Sequence, residues 1–388
     1  MLAYNYCGES KTLNRGSEVK MIVGIIYREE LKEYDFGPGH PFRGDRYQIF
    51  PQFLRGNLPG DDNYRIMQSE SADDEDLLLI CRKEYIDFTR EYYKAANLGL
   101  SYPEQFFRFH SGDNMPVGKP GKLEEAARVV VGQARMAADL VQGDKFRKVV
   151  SIGGGLHHAK PSYGEGFCLY NDVAFCALYL MEKHKLERIL ILDTDAHAGN
   201  GTCEYFYEEP RVLFIDLHQD PGTIYPGTGF AHQIGFGAGT GFTVNVPMPV
   251  GAGYDSYELV FDSIVQPIAQ EFEPQIIIRN GGSDPHFNDG LTNLGLSVNG
   301  FRMIGERVRE MTKICDDKAI DLIASGYNRE VLPYAWLALI SGWAGFEVEI
   351  QEPQPVSSQM LTDRALSKTE RVVDEVKNQL KDYWACLR

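Results

Sequence analysis

Four short apolar runs in this sequence each stop at a cluster of glycine, aspartate or histidine, and that pairing constrains the fold more than any other feature. Lys148–Ile152 leads into Gly153-Gly154-Gly155-Leu156-His157-His158, and Arg188–Leu192 into Asp193-Thr194-Asp195-Ala196-His197-Ala198-Gly199-Asn200-Gly201. Gln275–Arg279 leads into Gly281-Gly282-Ser283-Asp284-Pro285-His286, and Ile320–Ala324 into Ser325-Gly326-Tyr327-Asn328. Runs that are apolar almost throughout suit strands covered on both faces. Met21–Tyr27, Arg211–Leu217 and Phe242–Val246 also read as strands. Helical periodicity marks Leu123–Val141, Asn171–His184, Ser256–Phe272, Gly300–Cys315 and Val331–Ser341. In the second of these helices, Val173, Ala177, Leu178 and Met181 recur behind an Asn171 cap. Strand–helix alternation of this length implies one α/β domain around a mostly parallel sheet. Sites in such sheets form beyond the carboxyl ends of the strands. If the four strands are neighbours, their clusters converge on one rim.

That domain spans 21–350, which has no strong composition break. Residues 1–20 are a polar N-terminal extension. Residues 351–388, opened by Pro353 and Pro355, form a linker into a last helix at about 362–386. The Gly-, Pro- and acid-rich stretch 56–76 reads as a long surface loop. Gly235–Gly241 imitates a phosphate loop but precedes a strand, so it reads as a flexible loop. Arg43 and Arg46 read as solvated.

A net charge of −16 disfavours nucleic acid and anionic membranes as partners. It is compatible with a cationic substrate or a basic peptide. The 7 cysteines include no Cys-x-x-Cys and read as reduced thiols, with Cys176 in the core. The N-terminus lacks a signal-peptide pattern, and the longest apolar runs, such as Ala335–Ile340, fall well short of the ~20 residues a membrane helix needs. The expectation is a cytoplasmic protein.

Asp193-x-Asp195-x-His197 is the most telling cluster. In an extended segment alternate side chains face one way. Carboxylates and an imidazole suit Zn2+ or another divalent ion, with Asp284 as a third protein ligand. Three protein ligands leave a position for water, the catalytic arrangement. Acidic residues at strand ends also serve as helix or turn caps, and the neighbouring clusters favour the metal. His157-His158, after glycines that let backbone approach a ligand, suits an acid–base pair beside such an ion. A phenol at Tyr327 suits donation to a developing oxyanion.

Together these motifs resemble the zinc-dependent histone deacetylase superfamily, which includes lysine deacetylases, acetoin-utilisation proteins and acetylpolyamine amidohydrolases. The matching segments are Tyr34-Asp35-Phe36-Gly37-Pro38-Gly39-His40-Pro41, Gly154-Gly155-Leu156-His157-His158-Ala159, Gly166-Phe167-Cys168-Leu169-Tyr170-Asn171-Asp172, Asp193-Thr194-Asp195-Ala196-His197, Tyr225-Pro226-Gly227-Thr228-Gly229, Gly282-Ser283-Asp284 and Gly326-Tyr327. The first and fifth look closest to the acetoin-utilisation and lysine-deacetylase branches. The resemblance implies an arginase-like fold with a sheet of about eight strands and a catalytic domain at 21–350. It implies Zn2+ on Asp195, His197 and Asp284, although Fe2+ also suits these ligands. It makes His157 and His158 the acid–base pair, with Asp193 and Asn200 as their partners, and Tyr327 the donor to the acetyl oxygen. Gly166, Phe167 and Tyr225 would line a narrow tunnel for an acetyl-lysine stem, and Asp113 would grip the substrate backbone. Asp193, Asp195, His197, Asp216 and Leu217 match a buried monovalent-cation site, usually potassium.

The implied activity is removal of acetyl groups from Nε-acetyl-lysine of a protein or peptide. A deacetylase of small acetylated amines and a silent acetyl-lysine binding module are the alternatives, and the oligomeric state is open. A dinuclear manganese ureohydrolase needs further ligands that Ala198 and Asn200 do not supply. Ala198 stands where many relatives have a second histidine, Asn200 replaces an aspartate, Ser325 replaces a glycine, and Asp216 stands where a serine is common.

Overall fold

The computed structural model describes residues 22–60, 63–100, 103–357 and 362–388. The expected N-terminal extension at 1–20 lies outside the described residues, as does Cys7. Eight strands form one sheet: β1 (Val23–Ile26), β2 (Tyr64–Met67), β3 (Lys148–Ile152), β4 (Ile189–Asp193), β5 (Val212–Gln219), β6 (Thr243–Met248), β7 (Ile276–Asn280) and β8 (Ala319–Ile323). Their order is β2-β1-β3-β8-β7-β4-β5-β6, and every pairing is parallel. The strands that precede the four polar clusters are therefore the four adjacent central strands, β3-β8-β7-β4. Their registers bring Ile152 beside Ile323, and Asp193 beside Asn280. All four clusters leave the sheet on one rim, the convergence expected from the sequence.

The central strands are buried along their whole length, which explains their richness in Val, Ile and Leu. The amphipathic helix Leu123–Gln142 covers β3 and packs on Asp172–His184. Val298–Thr312 and Leu332–Ala344 cross closely because each presents a glycine at the contact. A Cβ on Gly305 would lie 2.2 Å from the Leu339 carbonyl oxygen, and one on Gly342 would lie 2.2 Å from that of Arg302. The helix Leu366–Leu380 packs on β6 and on Tyr254–Val260, and Trp384 Nε1 donates to Gly241 O at 2.8 Å.

Several local expectations change. The stretch 56–76 is not one loop. It contains β2, which extends the sheet through backbone pairing with β1 despite its polar neighbours. Gly235–Gly241 is held in place: Phe236 N donates to Tyr207 O at 2.7 Å, and Gly241 N to Ile234 O at 2.6 Å. The helix expected at Ser256–Phe272 contains a π-helical turn at Phe261–Val265. Helices at Arg46–Asn57 and Lys83–Asn97 add to the expected set.

Candidate active site

Asp195 and His197 lie in the turn after β4, and Asp284 in the turn after β7. All three are buried, and their donor atoms lie within 4.8 Å of one another. His197 Nδ1 is 3.1 Å from Asp195 Oδ1 and 3.1 Å from Asp284 Oδ2. Backbone fixes the turn: Asp193 Oδ1 accepts from Asp195 N at 3.0 Å, and Asp195 Oδ1 from His197 N at 2.8 Å. Gly281, at φ +124°, lets β7 approach it, since a Cβ there would lie 2.7 Å from Asp195 N. Burial and the neighbouring Asp195 charge push Asp284 up to about 7. Burial also opposes charge on Asp195, but His157 and His197 outweigh it and hold this carboxyl well below its usual range. Two carboxylates crowded into one dry site carry negative charge that a divalent cation neutralises. The donor set fits such an ion, and among the described residues it is the one cluster of this kind.

His157 and His158 follow β3, with their Nε2 atoms 3.1 Å apart. His157 Nδ1 is 2.8 Å from Asp193 Oδ2, which also accepts from Asn280 Nδ2 at 2.8 Å. Burial disfavours charge on His157, but Asp193 and Asp195 outweigh burial and raise it to about 9. His158 Nδ1 is 2.7 Å from Asn200 Oδ1. Burial, with His157 and His197 as neighbours, drives His158 well below the usual histidine range. One imidazole is thus held as a cation and the other neutral.

His157, His158, Asp195, His197 and Tyr327 line one narrow cavity with Phe42, Leu156, Gly166 and Ser325. Burial, and then the charges of Asp284 and Asp195, raise the Tyr327 phenol far above 10, so it stays a neutral donor. Phe167 stands edge-on to Tyr327, with centroids 6.0 Å apart, and Tyr225 is edge-on to His158 at 5.2 Å. Tyr225 is 40% exposed, which places it where the site meets solvent. Asp113 Oδ2 accepts from Gly166 N at 2.9 Å, bracing the Phe167 loop from the far side. Asp193 and Asp216 are register partners on β4 and β5, next to Leu217. Asp216 Oδ2 accepts from Gly199 N at 2.9 Å, while Oδ1 lies 2.8 Å from His218 Nδ1.

Sequence reasoning missed several supports. Arg46 is not solvated but 3% exposed. Its guanidinium donates to Ala324 O at 2.8 Å and lies 3.9 Å from the Phe42 ring centre, since burial of a guanidinium is tolerated when carbonyls and an aromatic face receive it. Arg43 is partly exposed and pairs with Asp35 at 3.0 Å. Asp172 accepts from Leu156 N at 2.8 Å and from Gly155 N, and so anchors the loop before His157. Its signal was available, because Asp172 follows the recognised Asn171 cap. Glu165, Asn280 and Ser325 carried no local signal for the contacts they make.

A family model, the histone deacetylase domain, matches residues 40–343. The chain is 35% identical over 376 residues to a probable deacetylase from Archaeoglobus fulgidus, covering 95% of this chain and 100% of that protein. It is 32% identical over 317 residues to the acetoin utilization protein AcuC of Staphylococcus aureus, covering 81% of this chain and 79% of AcuC. The crystal structure of the HDA15 HD domain shares the fold, with a TM-score of 0.78 at 24% identity over 95% of this chain and 97% of that one. With the domain match spanning most of the sequence and relatives above 30% identity along nearly all of it, this chain belongs to the histone deacetylase family.

Proposed function

We propose that this protein is a metal-dependent amidohydrolase that removes acetyl groups from Nε-acetyl-lysine side chains of proteins or peptides and releases acetate. The observation that carries the reading is the meeting of His157, His158, Asp195, His197 and Tyr327 in one narrow cavity, with the buried Asp284 carboxylate within 4.8 Å of the Asp195 and His197 donor atoms. Asp195, His197 and Asp284 would hold Zn2+, and Fe2+ also suits them. When bound, such an ion polarises an acyl oxygen and acidifies water.

The chain's own groups do the rest. His158, held neutral, takes a proton from the attacking water. Its Nδ1 stays bonded to Asn200, so the proton arrives at Nε2. As the water oxygen bonds to the acyl carbon, the Tyr327 hydroxyl donates to the acyl oxygen. The carbon–nitrogen bond then breaks, the lysine amine leaves with the proton from His158, and acetate remains. His157 keeps its charge against Asp193 and stabilises the anionic intermediate. Phe167 and Tyr225 wall the entrance, Gly166 keeps it open, and Asp113 braces it and offers its free lone pairs to a substrate backbone amide. We assign catalysis to residues 21–350 and read 351–388 as a linker and C-terminal helix, of which Leu366–Leu380 packs on the domain. The set Asp193, Asp195, His197, Asp216 and Leu217 is assigned to a monovalent cation such as potassium.

The test measures acetate release by the Zn2+-loaded protein from an acetyl-lysine peptide and from N-acetylputrescine. Faster release from the peptide, lost on chelation and restored by Zn2+, supports the reading. Release from the small amine alone replaces the substrate class. Peptide binding without release makes the protein a binding module.

A further inference from the structure

We propose that Glu165 is a positioning residue that sets the proton position on His158 through the side chain of Asn200. This rests on the deacetylase reading above. Asn200 replaces a carboxylate with a neutral amide, and an amide has two unlike ends. Its oxygen, facing His158 Nδ1, accepts from that nitrogen and so supports the ring form protonated at Nδ1, the form that the charged His157, with its Nε2 3.1 Å from His158 Nε2, also favours. Only then does Nε2 carry the lone pair that a base needs. With the nitrogen end facing Nδ1, the ring proton would move to Nε2 and His158 could take no proton there.

The structure shows what decides between the two ends. Asn200 Nδ2 donates to Glu165 Oε1 at 2.8 Å, on the side away from His158. A carboxylate accepts and cannot donate, so it rejects the amide oxygen and holds the amide nitrogen. Oδ1 is left 2.7 Å from His158 Nδ1. Glu165 is itself fixed in place. Its side chain is 15% exposed, Lys160 Nζ lies 3.0 Å from the same carboxylate, and its carbonyl accepts from Cys168 N at 2.9 Å. The charge absent from position 200 therefore stands one hydrogen bond further out. There it orients the amide without adding an anion next to the imidazole.

The experiment compares the Zn2+-loaded full chain with Glu165→Ala, Glu165→Gln, Asn200→Asp and the double variant Asn200→Asp/Glu165→Ala. Replacing a partner one shell out typically costs 10–100-fold in activity, so Glu165→Ala is expected to lower kcat by about that factor with KM nearly unchanged. Glu165→Gln keeps an acceptor and should retain more activity than Glu165→Ala. An aspartate at 200 has no wrong end. In the Asn200→Asp background, Glu165→Ala should then cost less than about threefold in kcat. Nitrogen NMR of labelled histidine reads the ring directly and needs no turnover: His158 should be protonated at Nδ1 in the parent and shift toward Nε2 in Glu165→Ala. Unchanged kcat, a loss confined to KM, an equal loss in the Asn200→Asp background, or an unchanged His158 tautomer would each overturn the proposal. A parent protein that releases no acetate sinks the deacetylase reading instead, and the NMR comparison still decides the role of Glu165.

Discussion

Ser325 Oγ donates a 2.7 Å hydrogen bond to Oδ1 of Asp284, while Oδ2 of the same carboxylate faces His197 Nδ1 at 3.1 Å. One oxygen is thereby fixed and the other is left toward the candidate metal position. The serine stands where the family resemblance leads one to expect glycine. Outer partners of ligating groups typically contribute 10–100-fold in metal affinity or activity. Ser325→Ala is therefore expected to weaken Zn2+ affinity by about tenfold or more, measured by competition with a chromophoric chelator. Equal affinity in the variant would reduce the serine to a spacer.

Tyr327→Phe removes one hydroxyl from the cavity and leaves the ring contacts with Phe167 and His197. Loss of one preorganised oxyanion donor typically costs about 100–1,000-fold in kcat. The variant should keep its metal content and thermal midpoint and lose turnover by about that factor. Activity within a few-fold of the parent would remove Tyr327 from the reaction.

Gly166 has φ +60°, and a Cβ there would lie 2.2 Å from His158 Cδ2. Glycine is required twice over, for the left-handed backbone and for the space the imidazole occupies. Gly166→Ala should push His158 out of place and lower kcat by about tenfold or more, in line with the sensitivity of catalysis to small misplacements. It should leave far-ultraviolet circular dichroism unchanged. Parental kcat would show that the loop yields and the ring does not.

The convergence of the site was readable because each of the four central strands carries its polar cluster immediately after it in sequence. Their lateral order was not readable. Parallel crossovers impose no order on strands with such similar apolar content, and β8 enters between β3 and β7 only through tertiary packing. β2 escaped notice because Tyr64–Met67 is four residues long, with one fully buried side chain, and pairs through backbone at a sheet edge. The supports of the site are long-range in the same way. Arg46 reaches the carbonyl of Ala324, and Ser325 reaches Asp284, each across a separation that leaves no local pattern. The Asn200–Glu165 bond joins the first residue of the helix Asn200–Phe206, after β4, to the loop that follows β3. Ligand-like residues announced themselves by type and spacing, whereas the groups that orient them did so only by position.

His110 offers a pH test remote from the candidate metal cluster. Its ring is buried against Phe106, with centroids 5.0 Å apart, and Nε2 pairs with Thr89 Oγ1 at 3.0 Å. Nδ1 faces no hydrogen-bond partner among the described residues. Burial lowers this histidine to about 3. The folded state thus keeps it neutral while the unfolded chain protonates near 6.5. Below that value the unfolded state binds the extra proton, so the stability contributed by His110 is complete above pH 6.5 and is lost as pH falls toward 3. Between pH 7.5 and pH 5 the loss amounts to about 2 kcal/mol. Urea unfolding of the parent and of His110→Gln at both pH values should show their stability difference shifting by about that amount in favour of the variant at pH 5. A difference independent of pH would mean that the buried ring titrates like an exposed one.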